Sequence, residues 1–321
     1  MESLAKKIDK NISAMIQVAV LNILKLGMEY RIFNKLISKK HYLDILNMNS
    51  IKNKPLLKDL LDTYVEIGIV ERTLNEIRMR DFSYTITFSR ESISYIQPDW
   101  ISVFEEMYKM ITYSFISPEH PKILMDFDKD ADFWDMRLSL EFNSTYRRLI
   151  ASIGKLRDEM TVLDLGCGSV SPVEIGKLVG SNGKYVGVDF SPGMLSIAKS
   201  KIKELGLDWV ILRELDIRTM IPRSKYDIII MSFVLEYLPT LSLLKVIDTA
   251  MAALNEGGKL IIIEPFRENY PQIAAWEFFE KLTKEFTKFP SKSAIINSLE
   301  QTNYNFRLHE IGKSVLVVEK L

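Results

Sequence analysis

The segment Val162-Leu163-Asp164-Leu165-Gly166-Cys167-Gly168-Ser169 decides the fold, because in it an apolar strand runs directly into a turn with two glycines. Ser171, Pro172 and Glu174 follow with the residue types of a helix start: an N-cap, a first-turn proline and the glutamate of a capping box. The two glycines allow the backbone to approach a ligand closely at the carboxyl edge of a parallel sheet. A tight turn without any ligand can hold the same glycines, so this segment alone leaves both interpretations open.

A second strand candidate, Tyr185-Val186-Gly187-Val188-Asp189, ends in an acid 21 residues after Gly168 (189 − 168). An acid at about this distance from a glycine turn can accept both hydroxyls of a ribose. Met194 lies in the next helix, where an apolar side chain could cover an adenine. Asp216 follows the third strand candidate and places another carboxylate at the same edge. The pattern therefore favours a bound nucleoside over a purely structural turn.

The second half of the chain alternates short β-branched runs with helical patterns, which predicts a mostly parallel sheet. The strand candidates are residues 161–165, 184–189, 208–213, 226–232, 259–264, 304–310 and 314–320. The gap between the last two is too short for a parallel crossover, so they must form an antiparallel hairpin. The sequence thus predicts an α/β fold with five parallel strands and a closing hairpin.

The first half of the chain has mostly helical patterns. Apolar residues occur nearly all round the helix predicted over residues 13–28, which indicates burial on more than one side. A second helical stripe begins at Leu56, and two short strands, residues 69–73 and 77–88, suggest a winged helix. The predicted division is a winged-helix domain, a helical linker with a pocket region, and an α/β domain, at residues 1–98, 99–156 and 157–321.

Composition narrows the classes of function. The chain has 321 residues, and its 42 Lys and Arg balance 42 Asp and Glu, so no overall field gathers nucleic acid or anionic membrane. A single cysteine excludes an intramolecular disulfide, and with three separated histidines we expect no metal site. We read no signal peptide, and the apolar stretch 14–28 looks too short and too polar for a membrane span. We therefore expect a cytoplasmic protein.

Residues 161–321 resemble a class I methyltransferase that uses S-adenosylmethionine (SAM). The resemblance rests on the glycine motif 164–168, the ribose motif 187–191, Tyr226-Asp227 and the segment 254–259; Val170 departs from it, since many members have glycine there. Asp164 suits a cationic ligand, and SAM carries a sulfonium and an ammonium group. The resemblance implies a Rossmann-like seven-stranded sheet, S-adenosylhomocysteine (SAH) as product, and a cofactor site formed by Asp164, Gly166, Cys167, Gly168, Asp189, Phe190, Met194, Asp216, Ile217, Ser232 and Phe233.

Residues 21–33 are similar to the first helix of winged-helix small-molecule O-methyltransferases, and residues 60–71 are similar to a later helix and the first wing strand of that family. In that family the domain forms a homodimer and lines the substrate pocket, so the resemblance implies a dimeric enzyme that methylates a small molecule, with O-methylation favoured. Two alternatives stay open: a protein or RNA methyltransferase, and a winged-helix DNA-binding regulator with a SAM-sensing domain. Residues 1–98 hold 15 Lys and Arg against 11 Asp and Glu, a net of +4 (15 − 11), which is mild for phosphate binding.

The catalytic candidates follow the fourth and fifth parallel strands. In the resembling O-methyltransferases a histidine after strand four acts as base, and Glu236 occupies that place here. Glu264, at the end of strand five, matches a glutamate that flanks the base. Glu236 could act as the base, bind a cationic substrate or face solvent, and these three interpretations stay open. The acceptor pocket could be walled by aromatic side chains that could equally be core residues: Trp134, Tyr146, Phe233 and Tyr237.

Overall fold

The computed structural model describes residues 1–87, 90, 99–118 and 125–321. The chain forms two compact units. The sheet unit contains Met1–Asp9, Asp126–Asn269 and Glu285–Leu321, and the helical unit contains Lys10–Met125 and Tyr270–Lys284. These units cut across the three predicted domains, because residues 126–156 group with the sheet and residues 270–284 with the helices. The domain boundaries at residues 98 and 156 stay predictions.

The helices of the described residues are α1 (Glu2–Glu29), α2 (Ile32–Leu36), α3 (Tyr42–Leu46), α4 (Lys54–Glu66), α5 (Asp99–Ile116), α6 (Ala131–Leu138), α7 (Glu141–Gly154), α8 (Ser171–Val179), α9 (Pro192–Leu205), α10 (Thr240–Ala253), α11 (Ile273–Glu280) and α12 (Lys292–Glu300). The strands are β1 (Lys40–His41), β2 (Val70–Arg72), β3 (Glu76–Met79), β4 (Thr161–Leu165), β5 (Lys184–Asp189), β6 (Val210–Glu214), β7 (Tyr226–Ser232), β8 (Leu254–Ile263), β9 (Phe306–Ile311) and β10 (Val315–Lys320). Short 3₁₀ turns lie at Ile217–Thr219, Leu235–Tyr237 and Arg267–Asn269.

The sheet unit is built on seven strands in the order β6-β5-β4-β7-β8-β10-β9. Strands β4 to β8 pair in parallel, and β10 pairs antiparallel with both β8 and β9. The predicted five parallel strands and closing hairpin are therefore confirmed. Strand β8 begins earlier than predicted, at Leu254, because Leu254 pairs with Tyr226. The register then shifts, and regular pairing continues from Ile228 and Lys259.

The centre of the sheet is apolar on both faces. Ile228, Ile229 and Ile230 of β7 are at most 2% exposed, as are all four residues from Leu260 to Ile263 of β8. Edge strand β9 instead alternates partly buried and exposed side chains over most of its length. Such uninterrupted burial is typical of parallel strands that are covered on both faces. The central strands are thus held rigidly, and their carboxyl ends give a fixed edge for a site.

The helical unit carries a three-stranded antiparallel sheet in the order β1-β3-β2. Strands β2 and β3 form the predicted hairpin, although β3 ends at Met79 and the predicted strand end at residue 88 lies outside the described residues. Helix α4 is capped by Asn53, whose side chain accepts the Leu56 N–H, and it buries Tyr64. The Tyr64 hydroxyl donates to the Ile23 carbonyl of α1 at 2.5 Å and so ties two helices of this unit together.

Helix α1 is, by length and composition alone, apolar enough to cross a membrane. The expectation that this stretch is too short and too polar is wrong by that criterion, because the helix extends over 28 residues. In the most apolar 18-residue window, 56% of the residues are buried within the fold. Burial of side chains such as Met15 and Ile23 is what the core helix of a folded protein shows.

Candidate active site

The turn between β4 and α8 depends on two glycines. Gly166 and Gly168 have φ angles of 75° and 59°, in the left-handed region that glycine adopts without strain. The backbone N–H groups of Gly166 and Cys167 donate to the Val188 carbonyl at 2.8 and 3.0 Å, which ties the turn to β5. A Cβ atom at Gly166 would lie 2.4 Å from Cγ2 of Val234. The turn is therefore compact, and Cys167 within it is buried.

Asp189, the last residue of β5, lies directly beside the glycine turn. Its Oδ2 accepts the Gly168 N–H at 2.8 Å and its Oδ1 accepts the Ser191 N–H at 3.0 Å. Burial raises the pKa of this carboxyl, and the backbone N–H groups oppose that rise. Met194 is buried nearby in α9, whereas Phe190 is 43% exposed. The structure thus brings the two predicted motifs into contact.

Asp164 supplies a second buried carboxylate at the start of the turn. It is 1% exposed, and its Oδ2 accepts the hydroxyls of Tyr185 at 2.6 Å and Ser171 at 2.5 Å. Burial raises the pKa of Asp164 to about 6, the two hydroxyls lower it, and the negative charge of Asp189 raises it further. Two desolvated carboxyl groups therefore flank the glycine turn.

The predicted capping box of α8 is wrong. Ser171 is the first residue of the helix and donates its hydroxyl to Asp164 instead of capping a backbone N–H. Glu174 pairs with the buried guanidinium of Arg147, with Oε2 2.7 Å from Nε. Buried charged groups nearby offer these side chains stronger hydrogen bonds than the helix's own N–H groups do.

The third acid of the predicted site has a different environment. Asp216 follows β6, and its Oδ1 accepts the backbone N–H of Arg218 at 2.9 Å. The guanidinium of Arg218 also pairs with this carboxylate, with Nη2 2.6 Å from Oδ2, and lowers its pKa. Ile217 beside it is 8% exposed. The Asp216 carboxylate is thus already paired with a cation, unlike the two carboxyl groups at the turn.

Ser232 and Phe233 lie where β7 ends, on the other side of β4. Phe233 has a φ angle of 51°, and its N–H donates to the Ile263 carbonyl of β8 at 3.0 Å. Its ring centroid lies 5.2 Å from that of Tyr146, which is itself buried. Burial raises the pKa of Tyr146 to about 12, so its hydroxyl stays protonated.

Glu236 and Glu264 form a buried pair just beyond the ends of β7 and β8. They are 3% and 0% exposed, and the neighbouring Glu236 carboxyl lowers the pKa of Glu264. Oε1 of Glu264 also accepts the N–H groups of Val234 and Leu235, both at 3.0 Å. Burial raises the pKa of Glu264 to about 7, although the two N–H groups lower it. The pair therefore takes up a proton near neutral pH. The solvent-facing interpretation of Glu236 is therefore wrong.

The predicted pocket aromatics divide into two groups. Tyr146 packs on Phe233, whereas Trp134 and Tyr237 both contact Phe127, at centroid distances of 4.5 and 5.1 Å. Sequence reasoning missed Phe127, because its contacts join residues far apart in the chain and no local pattern marks it.

The residues at the turn fit SAM. Asp164 and Asp189 are buried carboxyl groups with raised pKa values, so a ligand that brings positive charge would favour their ionised forms. SAM brings a sulfonium and an ammonium group, and the glycine turn leaves backbone close to any ligand at this edge. Among the residues that the structure describes, no group of three or more His, Cys, Asp or Glu side chains is placed to hold a metal ion.

Comparison with known proteins supports the same assignment. Residues 156–313 match the family described as a methyltransferase domain. The uncharacterized protein MJ0906 of Methanocaldococcus jannaschii is 31% identical over 319 residues, which cover 98% of this chain and 86% of that protein, so the similarity extends over nearly the whole chain. The chain belongs to the SAM-dependent methyltransferases. SAM is accordingly its cofactor and methyl donor.

Two further similarities differ in extent: the first covers about half of the chain, and the second covers nearly all of it. Demethylmenaquinone methyltransferase of Halalkalibacterium halodurans is 27% identical over 153 residues, which cover 47% of this chain and 62% of that enzyme. The crystal structure of the CurJ carbon methyltransferase has a TM-score of 0.64 at 14% identity, covering 99% of this chain and 92% of that chain. This second similarity shows a shared fold.

Asp189→Ala is expected to weaken SAM binding about 10- to 100-fold, because a charge-assisted hydrogen-bond pair is worth about 1.5–3 kcal/mol. Calorimetric titration with SAM measures the change. Asp208→Ala, at an exposed position in the same unit, is the matched control. Unchanged affinity in a folded Asp189→Ala protein would remove Asp189 from the site.

SAM affinity is expected to rise between pH 5 and 7. The pKa of Asp164 is about 6 without ligand, and a bound cation favours the carboxylate, so binding at pH 5 must first remove a proton. Asp164→Asn should flatten this part of the profile. Without ligand, the pH dependence of stability has the opposite sign. Because burial raises the pKa of Asp164 in the folded protein, its contribution to the free energy of unfolding falls as pH rises through about 6. A pH-independent affinity in the wild type would contradict the assignment.

Proposed function

We propose that this methyltransferase acts on a hydroxyl group of a small molecule, and that the Glu236–Glu264 pair takes up the hydroxyl proton. One observation carries the proposal: two buried and neighbouring carboxyl groups lie just beyond β7 and β8. These strands follow β4 in the sheet, so the pair occupies the same carboxyl edge as the glycine turn. The resemblance to O-methyltransferases supports Glu236 as the base.

The residues of the turn would hold SAM, which supplies an electrophilic methyl group for in-line displacement when it is bound. Asp164 and the backbone at Gly166 and Gly168 would receive its charged amino-acid part, and Asp189 its ribose. Met194, which is buried in α9, would contact the adenine. The protein's contribution at this end is alignment and the exclusion of water.

The acid pair suits proton uptake because burial strengthens a carboxylate as a base. Two backbone N–H groups fix Glu264, and the Thr287 hydroxyl and N–H donate to the Glu236 carbonyl at 2.7 and 2.8 Å. Both members of the pair are therefore anchored through backbone contacts. Above pH 7 the pair loses its shared proton and can receive one from the acceptor, and the two groups titrate as a unit.

The first test is a screen for transfer of the labelled SAM methyl group to phenols, aliphatic alcohols, thiols and amines. With an accepted hydroxyl compound, kcat/KM should rise with pH through an apparent pKa near 7, because Glu264 titrates there. Glu236→Gln should lower turnover about 10²–10⁴-fold while SAM binding persists, since it removes the base. Glu204→Gln, at an exposed position in α9, is the matched control.

Two results would contradict the proposal. Transfer confined to amines or thiols would remove the need for a base and leave only alignment. Transfer to a hydroxyl at an unchanged rate in Glu236→Gln and Glu264→Gln would remove the pair from the mechanism. Transfer to RNA or to protein in place of small molecules would favour a macromolecular acceptor, which the balanced charge of 42 basic and 42 acidic side chains disfavours. We also propose a cytoplasmic location on the basis of the chain's composition.

We further propose that the helical unit contains a winged-helix domain through which two copies associate. Its antiparallel sheet β1-β3-β2 and the β2–β3 hairpin support this proposal. Leu21 and Met28, seven positions apart on one face of α1, are 47% and 59% exposed.

Light scattering at micromolar concentration should give the mass of a dimer. Leu21→Glu with Met28→Glu should reduce that mass to a monomer's, because charges do not tolerate burial in an interface. Leu178→Glu, at an equally exposed leucine of the sheet unit, should leave the dimer intact. A wild-type monomer would contradict the proposal.

A further inference from the structure

The segment from Asp126 to Leu138, which we call the cover segment, is held to both sides of the cofactor site by aspartates. Oδ1 of Asp128 accepts the Ser191 hydroxyl at 2.5 Å and the Gly193 N–H at 3.2 Å, at the start of α9. Oδ1 of Asp135 accepts the Ser169 hydroxyl at 2.6 Å, just after the glycine turn. Asp135 also forms an ion pair with Lys201.

Phe127 of this segment bridges the two ends of the site. Its ring centroid lies 5.5 Å from that of Phe190 and 5.1 Å from that of Tyr237. Phe190 follows Asp189 at the end of β5, and Tyr237 follows Glu236 beyond β7. Because β5 and β7 lie on opposite sides of β4, the Phe127 ring joins residues that follow the two strands flanking β4.

Two glycines permit this close approach. A Cβ atom at Gly193 would lie 3.0 Å from the Asp128 carbonyl oxygen, and one at Gly168 would lie 2.8 Å from Cδ1 of Leu138. Backbone atoms of the cover segment therefore pack tightly against Gly193, and a Cβ atom there would push Asp128 away by a few tenths of an ångström. The contact between Gly168 and Leu138 involves no hydrogen bond and points to the same placement of the segment.

We propose that Phe127 covers bound SAM, and that Asp128 and Asp135 are positioning residues that hold it over the site. SAM and SAH then enter and leave only when these contacts open. The inference rests on the proposed cofactor site, and it adds that the cover segment regulates the exchange of SAM and SAH there. The Asp128 and Asp135 contacts lie at partly exposed positions, where hydrogen bonds are of modest strength, so the segment can release.

The experiment measures the dissociation rate of SAH by stopped-flow displacement with excess SAM. Phe127→Ala and the double variant Asp128→Asn/Asp135→Asn should each raise the rate about tenfold, since each removes aromatic or charge-assisted contacts of the segment. Asp132→Asn changes an exposed aspartate on the same helix, α6, and should leave the rate unchanged.

A double-mutant cycle separates positioning from general loosening. Lys201→Gln should raise the rate as Asp135→Asn does, and the two changes together should add little, because they remove one ion pair. If Phe127→Ala fails to fold, this cycle still carries the test.

SAH dissociation at the wild-type rate in the folded Asp128→Asn/Asp135→Asn and Lys201→Gln proteins would overturn the inference and leave the cofactor site intact. Absence of SAH binding to the wild type would overturn both the inference and the proposed site.

Discussion

The hydrogen bond from the Gly168 N–H to the Asp189 carboxylate joins the two parts on which the site depends. It requires a left-handed glycine after β4, an acid at the end of β5, and the parallel pairing of these two strands. The same pairing sets the turn against the Val188 carbonyl. The glycine turn and the acid are therefore joined directly, and the pairing of β4 with β5 positions both.

Four carboxyl groups are buried at this edge. Asp164 accepts two hydroxyls, Asp189 and Glu264 each accept two backbone N–H groups, and Glu236 lies beside Glu264. Such burial is costly without compensation. Raised pKa values are the visible result, and a cationic ligand is the compensation that a SAM site provides. The electrostatics thus suit the cofactor at one end and proton uptake at the other.

Much of this could be predicted from sequence, because strand periodicity and the spacing of Gly168 and Asp189 are local signals. The apolar run of β7 and the short gap between β9 and β10 fixed the topology for the same reason. The capping box failed because Ser171 responds to Asp164 across the fold, which no local pattern records. Phe127 was missed for the same physical reason. The burial of Glu236 could not be predicted either, because it lies beside Glu264, which is 28 residues further along the chain (264 − 236).

A crystal structure with SAH bound is the most direct test that this edge of the sheet is the methyl-transfer site. The account predicts that both ribose hydroxyls of SAH contact Asp189 and that its sulfur faces the side of the site that holds Glu236. A cavity of about 400 Å³ lies at the opposite, amino edge of the sheet, where Lys155, Asp227 and Lys259 line it. SAH bound there, or anywhere away from Gly166 and Gly168, would contradict the account.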